Sequence, residues 1–94
     1  MKEHCISAGI YLEIPQWIQN LIWFLWETAD VSEKDIVQSF HLSCGNNMQK
    51  IAHSQKQPPY HKVIMIPSEE PALCAEIIIL ETSNSLLMML ESEY

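Results

Sequence analysis

The chain has 94 residues, a net charge of −7 and no arginine, and 48% of it is apolar. That makes one globular domain, residues 1–94, able to bury about 60–65% of its unfolded surface. The charge argues against direct nucleic-acid binding, in which Lys and Arg neutralise phosphates. No apolar run approaches the ~20 residues that span a bilayer. The opening MKEHCISAGIYLEIP lacks the basic-then-apolar pattern of a signal peptide, so a cytoplasmic protein is expected. Cys5, Cys44 and Cys74 are odd in number and widely spaced, unlike a secreted disulfide framework.

Residues 4–10 (HCISAGI) read as a short strand, with Gly9 permitting a close approach or a bulge. Residues 14–30 (IPQWIQNLIWFLWETAD) form the helix around which the chain is arranged, Pro15 sitting in its first turn. Trp17, Ile18, Leu21, Phe24, Leu25 and Thr28 fall on one stripe, and Gln16, Gln19, Asn20 and Glu27 on the other side. Trp23 and Trp26 project roughly opposite the stripe, toward another layer or a partner.

After a polar connector at 30–35, residues 36–44 alternate like a half-buried strand, with Ile36, Gln38, Phe40, Leu42 and Cys44 on one face. Gly45-Asn46-Asn47 is a turn, and residues 48–56 return with Ile51, His53 and Gln55 on one face, completing a hairpin. Pro58 and Pro59 break the ladder, and residues 61–66 resume it. Residues 67–71 (PSEEP) are an exposed loop and 75–81 (AEIIILE) a buried strand. Residues 86–90 (LLMML) suit either strand or helix, and their shortness after a four-residue turn favours strand. The expected fold is α+β: one main helix across a mainly antiparallel sheet of about five or six strands. Leu21, Leu25, Phe40, Leu42, Ile51 and Ile78 should share its core.

The stretch from Gln49 to Tyr60 (QKIAHSQKQPPY) resembles the Q-K-I-x-H-x-Q-x-Q-P-x-Y signature of a small bacterial family of unknown function, number 960. Ser7-Ala8-Gly9-Ile10 is similar to its T-x-G-I, with Cys5 where an aromatic residue is usual. Ile14-Pro15, Gln19 and Trp23 match its helix, and Gln38-Ser39-Phe40-His41-Leu42 its Q-x-F-x-L. The tail from Met89 to Tyr94 resembles its M-L-L-x-E-E-Y ending. The resemblance covers almost the whole chain and implies a fold and a setting in Gram-positive bacteria, phages and mobile elements, but no activity.

Several constellations are candidate sites. His53, Gln55, Gln57 and Tyr60 can line a polar groove, or His53 and Gln55 can satisfy backbone groups that Pro58 and Pro59 leave unpaired. His41 and Cys44, with two residues between them and a glycine after, resemble half of a zinc site. Cys5 or His53, and less directly His4, His61 or Cys74, would have to complete it; an accidental pair is the plainer reading. A thiol–imidazole pair from Cys44 or Cys5 lacks an orienting acid or oxyanion hole in the sequence, so no catalytic residue is assigned.

Residues 48–66 hold Lys50, Lys56 and Lys62 and no acid, whereas residues 67–94 hold Glu69, Glu70, Glu76, Glu81, Glu91 and Glu93 and no base. Such an acidic third either solvates the protein or steers a basic partner, with Trp26 as apolar anchor. The preferred expectation is a non-catalytic protein-binding inhibitor of a host defence nuclease, of anti-CRISPR type, reached through the family setting and the charge layout. One alternative is a homodimeric assembly accessory of a phage or plasmid; a second is a small zinc-binding protein or metal-dependent enzyme.

Overall fold

The structure is a computed structural model describing residues 2–68 and 70–94. In chain order its elements are β1 Glu3–Ile6, α1 Ala8–Glu13, α2 Gln16–Glu27, β2 Val37–Gly45, β3 Met48–Gln55, β4 Tyr60–Pro67, β5 Ala75–Glu81 and β6 Ser85–Leu90, with a closing 3-10 turn at Glu91–Glu93. The strands form one sheet in the order β1-β6-β5-β2-β3-β4. Only the β1–β6 pair is parallel, among the described residues. The expected α+β class, with a helix across a mainly antiparallel sheet, is the one observed, and the 86–90 run is a strand. Among the described residues no helix is long and apolar enough to cross a membrane.

The first expected strand is cut short. Ser7 ends β1 and caps α1, its hydroxyl accepting the Ile10 N–H at 3.2 Å, and Ile10 and Ile14 then fall one helical turn apart on the buried side. Gly9 is therefore helical, not a bulge. A Cβ there would lie 2.6 Å from Glu93 Oε1 and 2.7 Å from Leu90 Cδ1, so the close approach is real.

The main helix starts at Gln16, two residues later than expected. Ile14 precedes a proline, whose ring disfavours helical backbone at the preceding residue; at φ −110°, ψ 120° it ends α1, and Pro15 becomes the cap of α2. At the far end, Thr28 N–H and Oγ1 both bond the Phe24 carbonyl, at 3.0 and 2.8 Å.

The buried stripe of α2 is also displaced. It is centred on Ile18, Ile22 and Leu25 and includes Gln19, while Trp17 and Phe24 are exposed and Leu21 is half-buried. The shift is on the order of 80° about the helix axis. Gln19 causes the misreading: a glutamine looks like a surface residue, but its amide donates to the Ile14 carbonyl at 2.8 Å and is buried at the α1–α2 junction. Trp23 stacks on His4 at 4.2 Å between centroids, and Trp26 packs against the core beneath Lys34, whose Nζ is 4.9 Å from the ring.

Strand alternation sets the rest. Gln38, Phe40 and Leu42 of β2, Ile51, His53 and Gln55 of β3, Ile77 and Ile79 of β5, and Leu86 and Met88 of β6 share the helix-covered face. Ile78 is buried, but between Ile77 and Ile79 it must point to the opposite, open face, so it is not in the expected core. Cys44 and Ile36 lie at the ends of that alternation and are exposed. The hairpin turn is Asn46-Asn47 alone, with φ of 49° and 64°; asparagine tolerates this left-handed geometry, which matches strand twist in a two-residue turn.

The displaced stripe is directly testable. Ile22→Ala should cost about 2–5 kcal/mol in urea denaturation, and Leu21→Ala under about 2 kcal/mol. A larger loss at Leu21 than at Ile22 would return the stripe to the position read from periodicity.

Candidate functional site

The signature glutamines point inward. Gln49 and Gln55 sit two registers either side of the Ile51–His53 pair on the covered face of β3, and both are buried. Gln49 Oε1 accepts the Leu73 N–H at 2.8 Å, and its Nε2 donates to the carbonyls of Leu73 at 2.9 Å and Ser43 at 3.2 Å. It thereby treats the β4–β5 loop as an adjoining strand. Gln55 does the same at the other end: Oε1 accepts Asp35 N–H at 3.1 Å, and Nε2 donates to the carbonyls of Pro58 at 2.8 Å and Glu33 at 3.0 Å. The expected groove is not assembled. His53 and Gln55 are sealed in, Tyr60 is half-buried edge-on to His53, and Gln57 is outside with its backbone N–H on Asp35 Oδ2 at 3.1 Å.

His53, 1% exposed, lies between Phe40, stacked at 4.3 Å, and Tyr60, edge-on at 5.3 Å. Its Nε2 is 2.5 Å from Gln38 Oε1, which suits a neutral ring donating to the amide oxygen. Among the described residues His53 Nδ1 and Gln38 Nε2 have no hydrogen-bond partner. Burial first, then the charges of Lys34 and Lys62, lower the His53 pKa to about 4. This is a core histidine that stays neutral at physiological pH.

The half-zinc pair does not converge. His41 and Cys44 are three residues apart on β2, so alternation puts their side chains on opposite faces. His41 Nδ1 instead lies 3.4 Å from Glu76 Oε1 on the open face. Cys5 is in β1, separated from β2 by β6 and β5, and His53 is on the covered face, away from His41. Of the other suggested ligands, His4 is under Trp23, His61 is exposed on β4 and Cys74 is exposed before β5.

The acidic third divides into separate roles. Glu81 pairs with Lys2 Nζ at 2.6 Å. Glu93 closes the fold: Oε1 accepts from Ser7 Oγ at 2.6 Å and Leu90 N–H at 2.9 Å, and Oε2 from Gly9 N–H at 3.2 Å. The Ser7 bond, then that of Leu90, hold its carboxyl below the usual range. Glu70 is exposed in the loop before β5, its N–H on Ser68 Oγ at 3.2 Å, and Glu69 lies outside the described residues. Glu76 and Glu91 remain, both exposed and in contact. A hydrogen bond with Glu76, then repulsion from it, raise the Glu91 pKa, and His41 opposes the rise. They line a cleft with Glu13, Cys74 and Leu90.

Glu13 also lines a second cleft with Tyr11 and Leu12, which are 74% and 77% exposed. Reading residues 4–14 as a strand and a lead-in concealed this site. The signal that could have revealed it is Ser7 as an N-cap, followed by Ile10 and Ile14 at helical spacing. The expected anchor, Trp26, is not part of it, being held against the core.

The buried histidine makes a signed prediction. Its pKa falls from 6.5 unfolded to about 4 folded, so its contribution is complete above pH 6.5 and is lost as pH drops toward 4. The loss should reach roughly 3 kcal/mol. Urea denaturation of the native protein and of His53→Leu at pH 7.5, 6 and 4.5 checks this: the variant should lack that part of the acid destabilisation. Equal acid slopes in both would refute it.

No functionally curated protein matches the sequence. The fold is similar to the crystal structure of a protein of unknown function from Enterococcus faecalis, with a TM-score of 0.87, 17% identity, and coverage of 99% of this chain and 91% of that one. At that identity the likeness speaks for the fold alone. A family model described as "Staphylococcal protein of unknown function (DUF960)" matches residues 3–93, and the chain belongs to that family.

Proposed function

We propose that this is a non-catalytic protein-binding module that docks a basic partner on the surface shared by Tyr11, Leu12, Glu13, Glu76 and Glu91. The observation that carries the reading is their continuity. Glu13 lines both the acidic cleft and the cleft beside the exposed Tyr11 and Leu12, so charge and apolar area adjoin. Glu76 and Glu91 both line the first cleft as exposed carboxyls, so an incoming Lys or Arg would meet two acceptors there. Charge would then set encounter rate and orientation, with Tyr11 and Leu12 supplying the desolvated area that slows dissociation.

A nuclease is one partner class that fits, because channels that hold phosphates are basic. In that version the module excludes nucleic acid from the channel, as an inhibitor of an RNA-guided defence nuclease would. Compared with the expectation from sequence, the acidic set narrows to Glu76 and Glu91, Glu13 joins them, and the anchor moves from Trp26 to Tyr11 and Leu12.

Parallel captures from a Gram-positive lysate, with the native protein and with Glu76→Lys/Glu91→Lys as baits, test the reading. A specific partner should be retained by the native bait and depleted on the variant. With that partner purified, the charge reversal should slow association about tenfold at low salt, and Tyr11→Ala/Leu12→Ala should mainly speed dissociation. Unchanged capture and unchanged rates at low salt would leave the acidic cleft as a solvated surface and overturn the reading.

A further inference from the structure

On the face of the sheet that the helices leave open, four segments meet around one cleft of about 350 Å³. The sheet contributes Val37 and Ser39 of β2 and Ser54 of β3, which alternation turns away from the buried Gln38, Phe40 and His53. Ser39 and Ser54 are in register, so their two hydroxyls are neighbours on that face. Asp35, ahead of β2, and Lys56, just after β3, add one charge of each sign. Tyr94 completes the lining, carried there by the 3-10 turn that packs on β5.

The two charges are opposite and yet unpaired. Among the described residues neither Asp35 nor Lys56 enters an ion pair, although both line the same cleft. The β2–β3 register, carried two residues beyond Ser39↔Ser54, sets Lys56 across from Val37 and Asp35 one diagonal step away. Diagonal neighbours stand roughly 7–8 Å apart, which leaves room for a small molecule to reach both. Asp35 is also set in place in advance. Its N–H donates to Gln55 Oε1 at 3.1 Å, and its Oδ2 accepts the Gln57 N–H at 3.1 Å. Among the described residues its Oδ1 accepts nothing. A carboxylate fixed before binding loses little freedom when a ligand arrives. The volume falls near the lower end of the roughly 300–1,000 Å³ typical of small-molecule sites.

We propose that this cleft binds a small zwitterion, an α-amino acid with an apolar side chain. Asp35 Oδ1 accepts from its ammonium, and the Lys56 ammonium donates to its carboxylate. The Ser39 and Ser54 hydroxyls, each able to donate and accept, serve either end. Val37 and Tyr94, the latter 71% exposed, offer the side chain apolar area. A ligand with charge of one sign would match one of Asp35 and Lys56 and be repelled by the other. The cleft shares no lining residue with the two clefts that Glu13 borders, and neither claim requires the other.

The test follows the amide spectrum of the isotopically labelled full-length protein as L-leucine is added. Leucine should shift the Val37, Ser39, Ser54 and Lys56 amides with a dissociation constant of about 1 mM or below. N-acetyl-leucine lacks the ammonium and leucinamide lacks the carboxylate, so each should bind about tenfold more weakly. Asp35→Asn keeps an acceptor for the Gln57 N–H and should erase the advantage of leucine over N-acetyl-leucine. Lys56→Gln should erase its advantage over leucinamide. An otherwise unchanged amide spectrum reports that each variant is folded. Absence of shifts at these four amides in millimolar leucine would overturn the proposal, as would shifts confined to Tyr11 and Leu12. Equal affinity for all three compounds, or leucine binding that neither substitution alters, would overturn it too.

Discussion

A buried glutamine amide has a donor end and an acceptor end, and each needs a partner once water is gone. Gln49 and Gln55 meet this demand with backbone groups of segments that have no regular structure of their own. Gln49 holds Leu73, and Gln55 holds Glu33, Asp35 and Pro58. Gln19 repeats the device once, on Ile14 between the two helices. The irregular connections around β3 are thereby tied to a strand in which every second residue is buried. Each amide also has a fixed position, because Ile51 and His53 between them are fixed by packing. The sheet therefore specifies its loops as well as its core.

The two ends of the sheet's first and last strands are tied by a side chain used in the same way, here a carboxylate. β1 and β6 lie parallel and adjacent, which brings the start of α1 beside the turn that follows β6. Glu93 there bonds Ser7, Gly9 and Leu90 together, and only a glycine at position 9 leaves room for it. This clasp engages Glu93 within the fold, and Lys2 likewise engages Glu81. What is left of the acidic third is a smaller, more local patch, and that patch borders the exposed end of α1.

The layer arrangement was legible because β2, β3 and β5 are long enough for alternation to show, and the Asn-Asn turn joins two of them visibly. Helix phase was harder, because periodicity scores Gln19 as polar and cannot see that its amide is satisfied by Ile14. The short first helix escaped because six residues hold little periodic signal, and its evidence lies in caps: Ser7 at one end, Ile14 before a proline at the other. The signature residues His53, Gln55, Gln57 and Tyr60 were legible as a group, but not their direction. Alternation alone says that His53 and Gln55 share a face with Ile51, and Ile51 is core. His41 and Cys44 show the opposite lesson: a spacing familiar from metal sites means little on a strand, where three residues apart is the other side of the sheet.

If buried amides hold the loops, the loops' own amide protons report it. Asp35 N–H donates to Gln55 and Leu73 N–H donates to Gln49, so site-resolved hydrogen exchange on Gln55→Leu and Gln49→Leu, folded under native conditions, is the most direct measurement. Gln55→Leu should release the Asp35 amide while leaving Leu73 protected, and Gln49→Leu should do the reverse. Each should also lower stability by about 1–3 kcal/mol, since backbone groups lose a buried partner. Protection at Asp35 and Leu73 that survives both substitutions would show that the loops are held by something else, and that these glutamines are free for another purpose.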